Sequence, residues 1–539
     1  MANDKITSAS QKPSVSGGIR EETPHTHPKG GVKQISMMAM AIMIVTTIVS
    51  MRGLASQAEF GFTSIFYYVL AAIVFLVPYA LVCAELASTY TRSGGVFRWV
   101  SEAFGTRTGW LSMYLDWQMV VIWFPAVLMF GAVALAYIFW PEAFDARLAG
   151  NRVYTLIVVL GVYWVCTFNT FRGMKYANKL STLGGLCGTI IPAAVLIIMG
   201  VVYLLLGKTV YLPLDKPFWP DFSNFGTIVL AASIFLFFAG MEIQAVQVPA
   251  MKNPSKNFPK SVLIAALAIL AIFILGTLAI GVVIPESKIN LLQSLLVAYN
   301  DLWASIGAPW LGNVMAVLIT FGVLGQVSVV IAGPSTGLLA VGKAGFLPRS
   351  LQHTNKNGIQ TTILYVQAAI VSLLSLVLVL LPSVESAYQI LSQMSTIIYL
   401  IMVVIIYFAF VRLRHTAPNK ARGFKVPGGK FGMWLVTIVG VGGAVLAGVL
   451  SFIPPSQIKT GSPAVYVGVL IVGVALFIAL PLIVFARRKK SWRDANTTFY
   501  PFDWQIEGRK PGEVSRWPAG YQPTDAEVQA AFEKENQSA

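Results

Sequence analysis

Charge is scarce in this chain. Asp, Glu, Lys and Arg make up 12% of its 539 residues, against roughly a quarter in a soluble domain. Hydrophobic residues fill 56% and mean hydropathy is +0.70. The shortage excludes an ordinary soluble domain and points to a polytopic membrane protein. Cysteine is rarer still. Cys83, Cys166 and Cys187 all fall inside apolar runs without metal-site spacing, so neither a disulfide framework nor a metal centre is expected. His25, His27, His353 and His415 fall in polar tails or loops, which argues against a histidine proton relay at membrane depth. The chain also lacks HExxH, a Walker motif and any Ser/His/Asp set within the apolar runs, so an enzyme is not expected, nor a cofactor.

What the chain has is long apolar runs. One span needs about 20 apolar residues. Such stretches lie at 34–55, 63–86, 108–139, 153–171, 180–206, 226–249, 261–284, 310–342, 362–381, 387–412, 433–453 and 464–485. None alternates as a barrel strand would. The expected fold is an all-α integral membrane protein of twelve transmembrane helices. The net charge of +16 is a topology signal rather than a nucleic-acid footprint. Even-numbered loops carry Arg92, Arg98 and Arg107, then Arg172, Lys175 and Lys179, then Lys252, Lys256 and Lys260, then Lys343, Arg349 and Lys356. Six more lie between Arg412 and Lys430. Odd-numbered loops hold only Arg147, Arg152, Lys208, Lys216, Lys288 and Lys459. By the positive-inside bias both termini lie in the cytoplasm.

Residues 1–33 read as a disordered polar arm, with no cleavable signal peptide. After the last span, Arg487, Arg488, Lys489 and Lys490 suit anionic lipid headgroups. The tail, 486–539, reads either as disordered or as a regulatory segment over the cytoplasmic mouth. Thr524-Asp525-Ala526-Glu527 predicts a capped short helix over 525–535.

Two spans carry anomalies. The sixth meets Ala239-Gly240-Met241 and then Glu242, before a basic exit at Lys252–Pro259. A charge beside a glycine break is costly in a bilayer unless the opened backbone binds a ligand or ion. The other reading is a glycine at a close helix crossing, with Glu242 paired to a neighbour. The first span carries Ser50-Met51-Arg52-Gly53 near its outer half. Arg52 either snorkels to the headgroups or faces a polar cavity where it could hold a carboxylate. Spans six to ten replay spans one to five, with breaks in corresponding places. This predicts an inverted repeat, 34–206 and 226–412, followed by two further helices at 433–485. Elsewhere, Asp116 lies in the third span. Glu85 is expected to pair with Arg92 or Arg98. Gly333-Pro334-Ser335 marks a kink in the eighth span. Ser392, Gln393, Ser395 and Thr396 read as cavity lining or as interhelical glue.

The sequence resembles the amino acid–polyamine–organocation transporter superfamily, and most its bacterial glutamate:γ-aminobutyrate antiporter group. The resemblance covers roughly residues 34–485. It rests on Ala84–Leu86 with Gly94–Val100, Gly240–Pro259, Gly333–Gly337 with Phe346–Pro348, Val426–Lys430 and Ser451–Pro455. It implies a five-plus-five inverted repeat with broken first and sixth helices, an amino-acid-type substrate between them, and alternating access. It implies that Glu242 matches an acidic position used near substrate or in pH response, and that the tail could act as a plug. Thr182 stands where several relatives carry a lysine, and Arg52 departs from the pattern of the acid-resistance antiporters. The expected substrate-binding set is Thr47, Ser50, Arg52, Gly53, Phe238, Ala239, Gly240 and Glu242. The expected gating or coupling set is Glu242, Arg52, Asp116, Thr182 and Ser335. Arg52 and Glu242 are expected to bracket the substrate or to pair when the site is empty.

The expected function is secondary active transport of amino acids or amino-acid-derived amines in a bacterial inner membrane, by exchange. A proton-coupled symporter and a non-transporting sensor are the rival readings. Expected partners are the small-molecule substrate, protons and membrane lipids, without nucleic acid; assembly as a homodimer is left open.

Overall fold

The computed structural model describes residues 35–92, 94–139, 142–173, 180, 183–212, 218–220, 229–245, 248, 251–455, 462–494 and 499–538. The arm at 1–33, Lys179 and Thr182 lie outside the described residues. Among those residues the chain is helical, and the one extended pairing is a single bridge between Ile35 and Met251.

The first span is two helices, α1 (Met37–Ile48) and α2 (Arg52–Ala58), bent by 67°. Ser36 caps α1 by accepting the Ala39 N–H at 3.2 Å. The second span, α3 (Thr63–Thr89), leads into a short helix, α4 (Gly95–Phe104), and then α5 (Thr106–Ala136). Gly94, at φ +123°, makes the turn into α4, a backbone shape that favours glycine. Next come α6 (Arg152–Thr170) and α7 (Leu183–Leu205). The sixth span is broken into α8 (Ser233–Phe237) and α9 (Met241–Ala245). Six long helices follow: α10 (Pro254–Val283), α11 (Trp310–Phe346), α12 (Thr361–Leu380), α13 (Val384–Thr416), α14 (Gly429–Leu450) and α15 (Pro463–Ala486). Ten long apolar helices, one bent pair and one short broken pair thus occupy the twelve expected positions in order.

Enclosure is graded. α5 and α13 lie against each other and have 89% and 72% of their apolar centres buried; α14 and α15 have 28% and 22%. The outer pair presents Leu446, Val449, Val472 and Leu476 outward, as lipid-facing helices do. The inner pair carries the polar residues of the site.

Glycine sets one crossing. A methyl on Gly188 of α7 would stand 2.2 Å from the Gly322 Cα of α11, and Gly184 faces Gly325 at 3.0 Å. Gly185 has open space beside it, so of the adjacent pair only Gly184 serves this contact. Small residues let the two backbones touch, the main source of helix affinity in lipid. Gly322→Leu is therefore expected to abolish recovery of monodisperse protein from membranes, whereas Gly185→Ala leaves it at the wild-type level; size-exclusion chromatography of both reads this.

Candidate substrate site between two broken helices

Both breaks are present, and they are laced together. α1 stops at Val49, which is extended at φ −66°, ψ 120°. The other break turns at Gly240, with φ +110°. Helices that stop inside a bilayer leave backbone groups without helical partners. Gln244 donates from Nε2 to Thr47 Oγ1 at 2.6 Å, tying α9 to α1. Gln57 donates to Ser233 Oγ at 3.2 Å, tying α2 to α8. A Cβ on Gly53 would stand 2.5 Å from the Phe237 ring, so the two breaks meet where no side chain fits. Gly240 is needed for its backbone conformation, and a Cβ there would also stand 3.0 Å from Thr47 Cγ2. Ser50, Phe238 and Ala239 lie in the two connecting bends.

Arg52 does not snorkel. It is 3% exposed, and its guanidinium lies between the rings of Trp123 and Phe237, at 5.4 and 5.8 Å from their centroids. Its Nε and Nη1 have no hydrogen-bond partner among the described residues. Tyr388 of α13 lies within its electrostatic reach. Ring faces offer about 2 kcal/mol or more to a desolvated cation, whereas removing an ion from water costs several. The ring faces alone therefore do not offset the desolvation of Arg52.

Glu242, also 3% exposed, lies elsewhere. Tyr399 donates to its Oε2 at 3.3 Å, and Tyr79, Cys83 and Asp116 lie within its electrostatic reach. The expected pairing of Arg52 with Glu242 is not formed. Helix geometry gives the reason. Tyr388 and Tyr399 lie on α13 about 16 Å apart along its axis, and Trp123 and Asp116 on α5 about 10 Å apart. Each helix marks one end of the site with Arg52 and the other with Glu242. Gln118 Oε1, Gln244 Oε1 and both amide atoms of Gln393 are also buried without a hydrogen-bond partner among the described residues.

The remaining candidates divide. Asp116 is partly buried and belongs to the Glu242 end. Ser335 is fully buried, but its hydroxyl bonds the Ile331 carbonyl at 2.9 Å and receives Gln360 Nε2 at 2.7 Å, which secures the α11 kink. Ser395 is glue, donating to the Met119 carbonyl at 3.0 Å, and Thr396 bonds back to Ser392 in its own helix.

The expected partners of Glu85 are wrong. Its carboxylate is gripped by Arg414 through Nε and Nη2 at 2.5 Å each, by Arg422 Nε at 3.0 Å and by the Val426 N–H at 2.7 Å. It joins the end of α3 to that of α13. Arg98 turns instead to the tail, donating to the Pro501 carbonyl at 3.2 Å and to that of Tyr500. The tail lies across α4. The Asp503 N–H bonds Glu102 at 3.1 Å, Trp504 Nε1 bonds the Ser101 carbonyl at 3.1 Å, Lys420 pairs with Asp503, and Phe502 packs between Phe97 and Trp504. The expected terminal helix runs from Asp525 to Ser538, with Thr524 and Glu527 capping reciprocally.

Sequence reasoning marks Gln118 and Trp123 in the third span without giving them a site role, and passes over Gln57, Gln244, Tyr388 and Tyr399. The glutamines alone carried a signal: uncharged polar side chains at membrane depth need partners. The aromatics looked like ordinary core.

A multi-pass helical membrane protein with two broken helices tied to each other, and with buried, unmatched polar groups on them and on neighbouring helices, has the build of a transporter. The match to known sequences agrees. The chain belongs to the amino acid permease family, whose pattern spans residues 35–504, within the amino acid–polyamine–organocation superfamily. It is 36% identical to an uncharacterized transporter of Legionella pneumophila, over 85% of this chain and 97% of that protein. It is 26% identical to a glutamate/γ-aminobutyrate antiporter of Lactococcus lactis, over 87% of this chain and 96% of that protein. A probable agmatine/putrescine antiporter of the same organism is 22% identical, over 74% and 84%. The protein is a membrane transporter of amino acids or amines, not an enzyme.

Proposed function

We propose that the chain exchanges amino acids or their decarboxylation products across a bacterial inner membrane by alternating access, with substrate held between the α1/α2 and α8/α9 breaks. The observation that carries this is the pair of opposite charges, Arg52 and Glu242, buried at two ends of one polar site without each other as partners. A zwitterionic solute complements both. No ion pair joins Arg52 to Glu242 among the described residues, which supports the bracketing role. The five-plus-five repeat is supported by the equivalent placing of the two breaks and by the cross-ties Thr47–Gln244 and Gln57–Ser233. Asp116 lies within the electrostatic reach of Glu242, which puts two acids at one end for a single ammonium group. That supports proton involvement. The basic loops support a cytoplasmic location for the tail-bearing face.

The tail acts as a regulatory strap. It ties α4 to the loop after α13 through Glu102, Asp503 and Lys420. Burial, with Asp503 nearby, pushes the Glu102 carboxyl up to about 7 against the opposing pull of Arg98 and Lys420. The docked tail therefore favours protonated Glu102. Its added stability is complete below the ordinary carboxyl range and is lost as pH rises through about 7. The protection factors of residues 499–506, which remove the intrinsic pH dependence of amide exchange, are expected to fall between pH 5 and pH 7.5 by about tenfold or more. Glu102→Gln is expected to flatten that fall.

Counterflow in proteoliposomes tests the transport reading. Liposomes loaded in turn with glutamate, γ-aminobutyrate, basic and aromatic amino acids, and the corresponding amines are expected to show uptake accelerated by one internal solute. Uptake that needs a proton gradient and ignores internal solute favours the symporter instead.

A further inference from the structure

We infer that Arg52 is a carboxylate receptor held in place by Trp123, and that the transported solute must carry a carboxylate, so that amines without one are refused. The inference rests on the transport reading above and narrows its substrate class. Three observations carry it. First, Arg52 is buried and neither Nε nor Nη1 has a partner among the described residues, so each edge of its planar guanidinium, Nε with Nη2 and Nη1 with Nη2, keeps an unused donor. Such a fork matches the two oxygens of a carboxylate and has no comparable fit to an ammonium group, which it repels. Second, no carboxyl group of the protein forms an ion pair with Arg52 among the described residues. The nearest acids of the site, Glu242 and Asp116, belong to its other end. The missing anion is supplied by the solute. Third, the guanidinium is positioned from two sides, by Trp123 of α5 and Phe237 of α8. The rings flank the guanidinium, and its Nε and Nη1 are left without a protein acceptor among the described residues.

Trp123 is thus a positioning residue. It fixes a long, rotamer-rich side chain before substrate arrives, which lowers the ordering cost of binding. Phe237 does the same from the broken helix and is held close to Gly53, the residue next to Arg52. Binding of a carboxylate at Arg52 therefore acts on both breaks at once.

The test uses the full chain in proteoliposomes and solute pairs that differ only in a carboxylate: ornithine against putrescine and arginine against agmatine, with glutamate and γ-aminobutyrate as carboxylate-bearing controls. The expected result is exchange of at least one carboxylate-bearing solute and none of putrescine or agmatine. Arg52→Gln is expected to raise KM for the accepted solute at least about tenfold. Arg52→Lys, which keeps the charge but loses the fork, falls between. Trp123→Leu is expected to raise KM by about three- to tenfold while kcat stays within about a factor of three, and Trp123→Phe restores KM. Loss of packing alone would lower protein yield and kcat without that split. If Arg52→Gln does not fold, the Arg52→Lys and Trp123 series carry the test. Wild-type exchange of putrescine or agmatine as fast as of ornithine or arginine overturns the inference. So does an Arg52→Gln protein with unchanged KM.

Thermal stabilisation of purified protein by the same solutes separates the two claims. Stabilisation by carboxylates that is lost in Arg52→Gln, without flux, supports the receptor and sinks the transport reading. Neither stabilisation nor flux with any carboxylate-bearing solute overturns the receptor.

Discussion

Glu85→Ala is expected to lower the stability of the purified protein by about 3–5 kcal/mol, the usual cost of stranding buried partner charges. Arg414 and Arg422 both turn to this one carboxylate, with side chains only 9% and 7% exposed. Removing it leaves two guanidinium groups side by side and a Val426 N–H without its acceptor. Glu85→Gln keeps that acceptor and loses the charge, so its loss is smaller. Urea or thermal unfolding in detergent reads both. An alanine variant as stable as wild type would mean that the arginines find water at this face. The same cluster closes α3 against α13 on the side where the tail lies, so survivors of the substitution are expected to leak substrate.

Glu242→Gln is expected to cut exchange by about 10- to 100-fold, the loss of one charge-assisted contact. Folding is retained, because a glutamine oxygen still accepts from Tyr399. The measurement is initial counterflow rate per folded protein, across pH 5.5 to 7.5. The pH profile of the variant is expected to differ from that of the wild type. Unchanged flux and an unchanged pH profile would make Glu242 a structural residue of the break.

The architecture was legible because a bilayer constrains sequence so strongly. Apolar length marks spans, and every long helix lies where a run of adequate length predicted it. The breaks were legible for the same reason, since Ser50–Gly53 and Ala239–Glu242 are polar or flexible where lipid tolerates neither. What sequence could not convey were pairings across the fold. Glu85 and Arg414 are 329 positions apart, whereas Arg92 and Arg98 were close in sequence and therefore seemed the natural partners. The separation of Arg52 from Glu242 depends on the rotational setting of α5 and α13, which periodicity alone does not fix. Trp123, Tyr388 and Tyr399 resemble belt or core aromatics until the charges they attend are located. The strap at 499–504 reads as a polar tail because its anchors, Phe499, Phe502 and Trp504, are too few to mark a folded segment.

The central claim is that substrate sits between the two breaks. The most direct test is an electron cryomicroscopy structure of the full chain with an exchanged solute bound. The account predicts ligand density bounded by Ser50–Gly53 and Phe238–Glu242, with its anionic end at Arg52 and its cationic end toward Glu242 and Asp116. Density placed elsewhere, or an Arg52 still enclosed by its two rings with no ligand atom in reach, would contradict it.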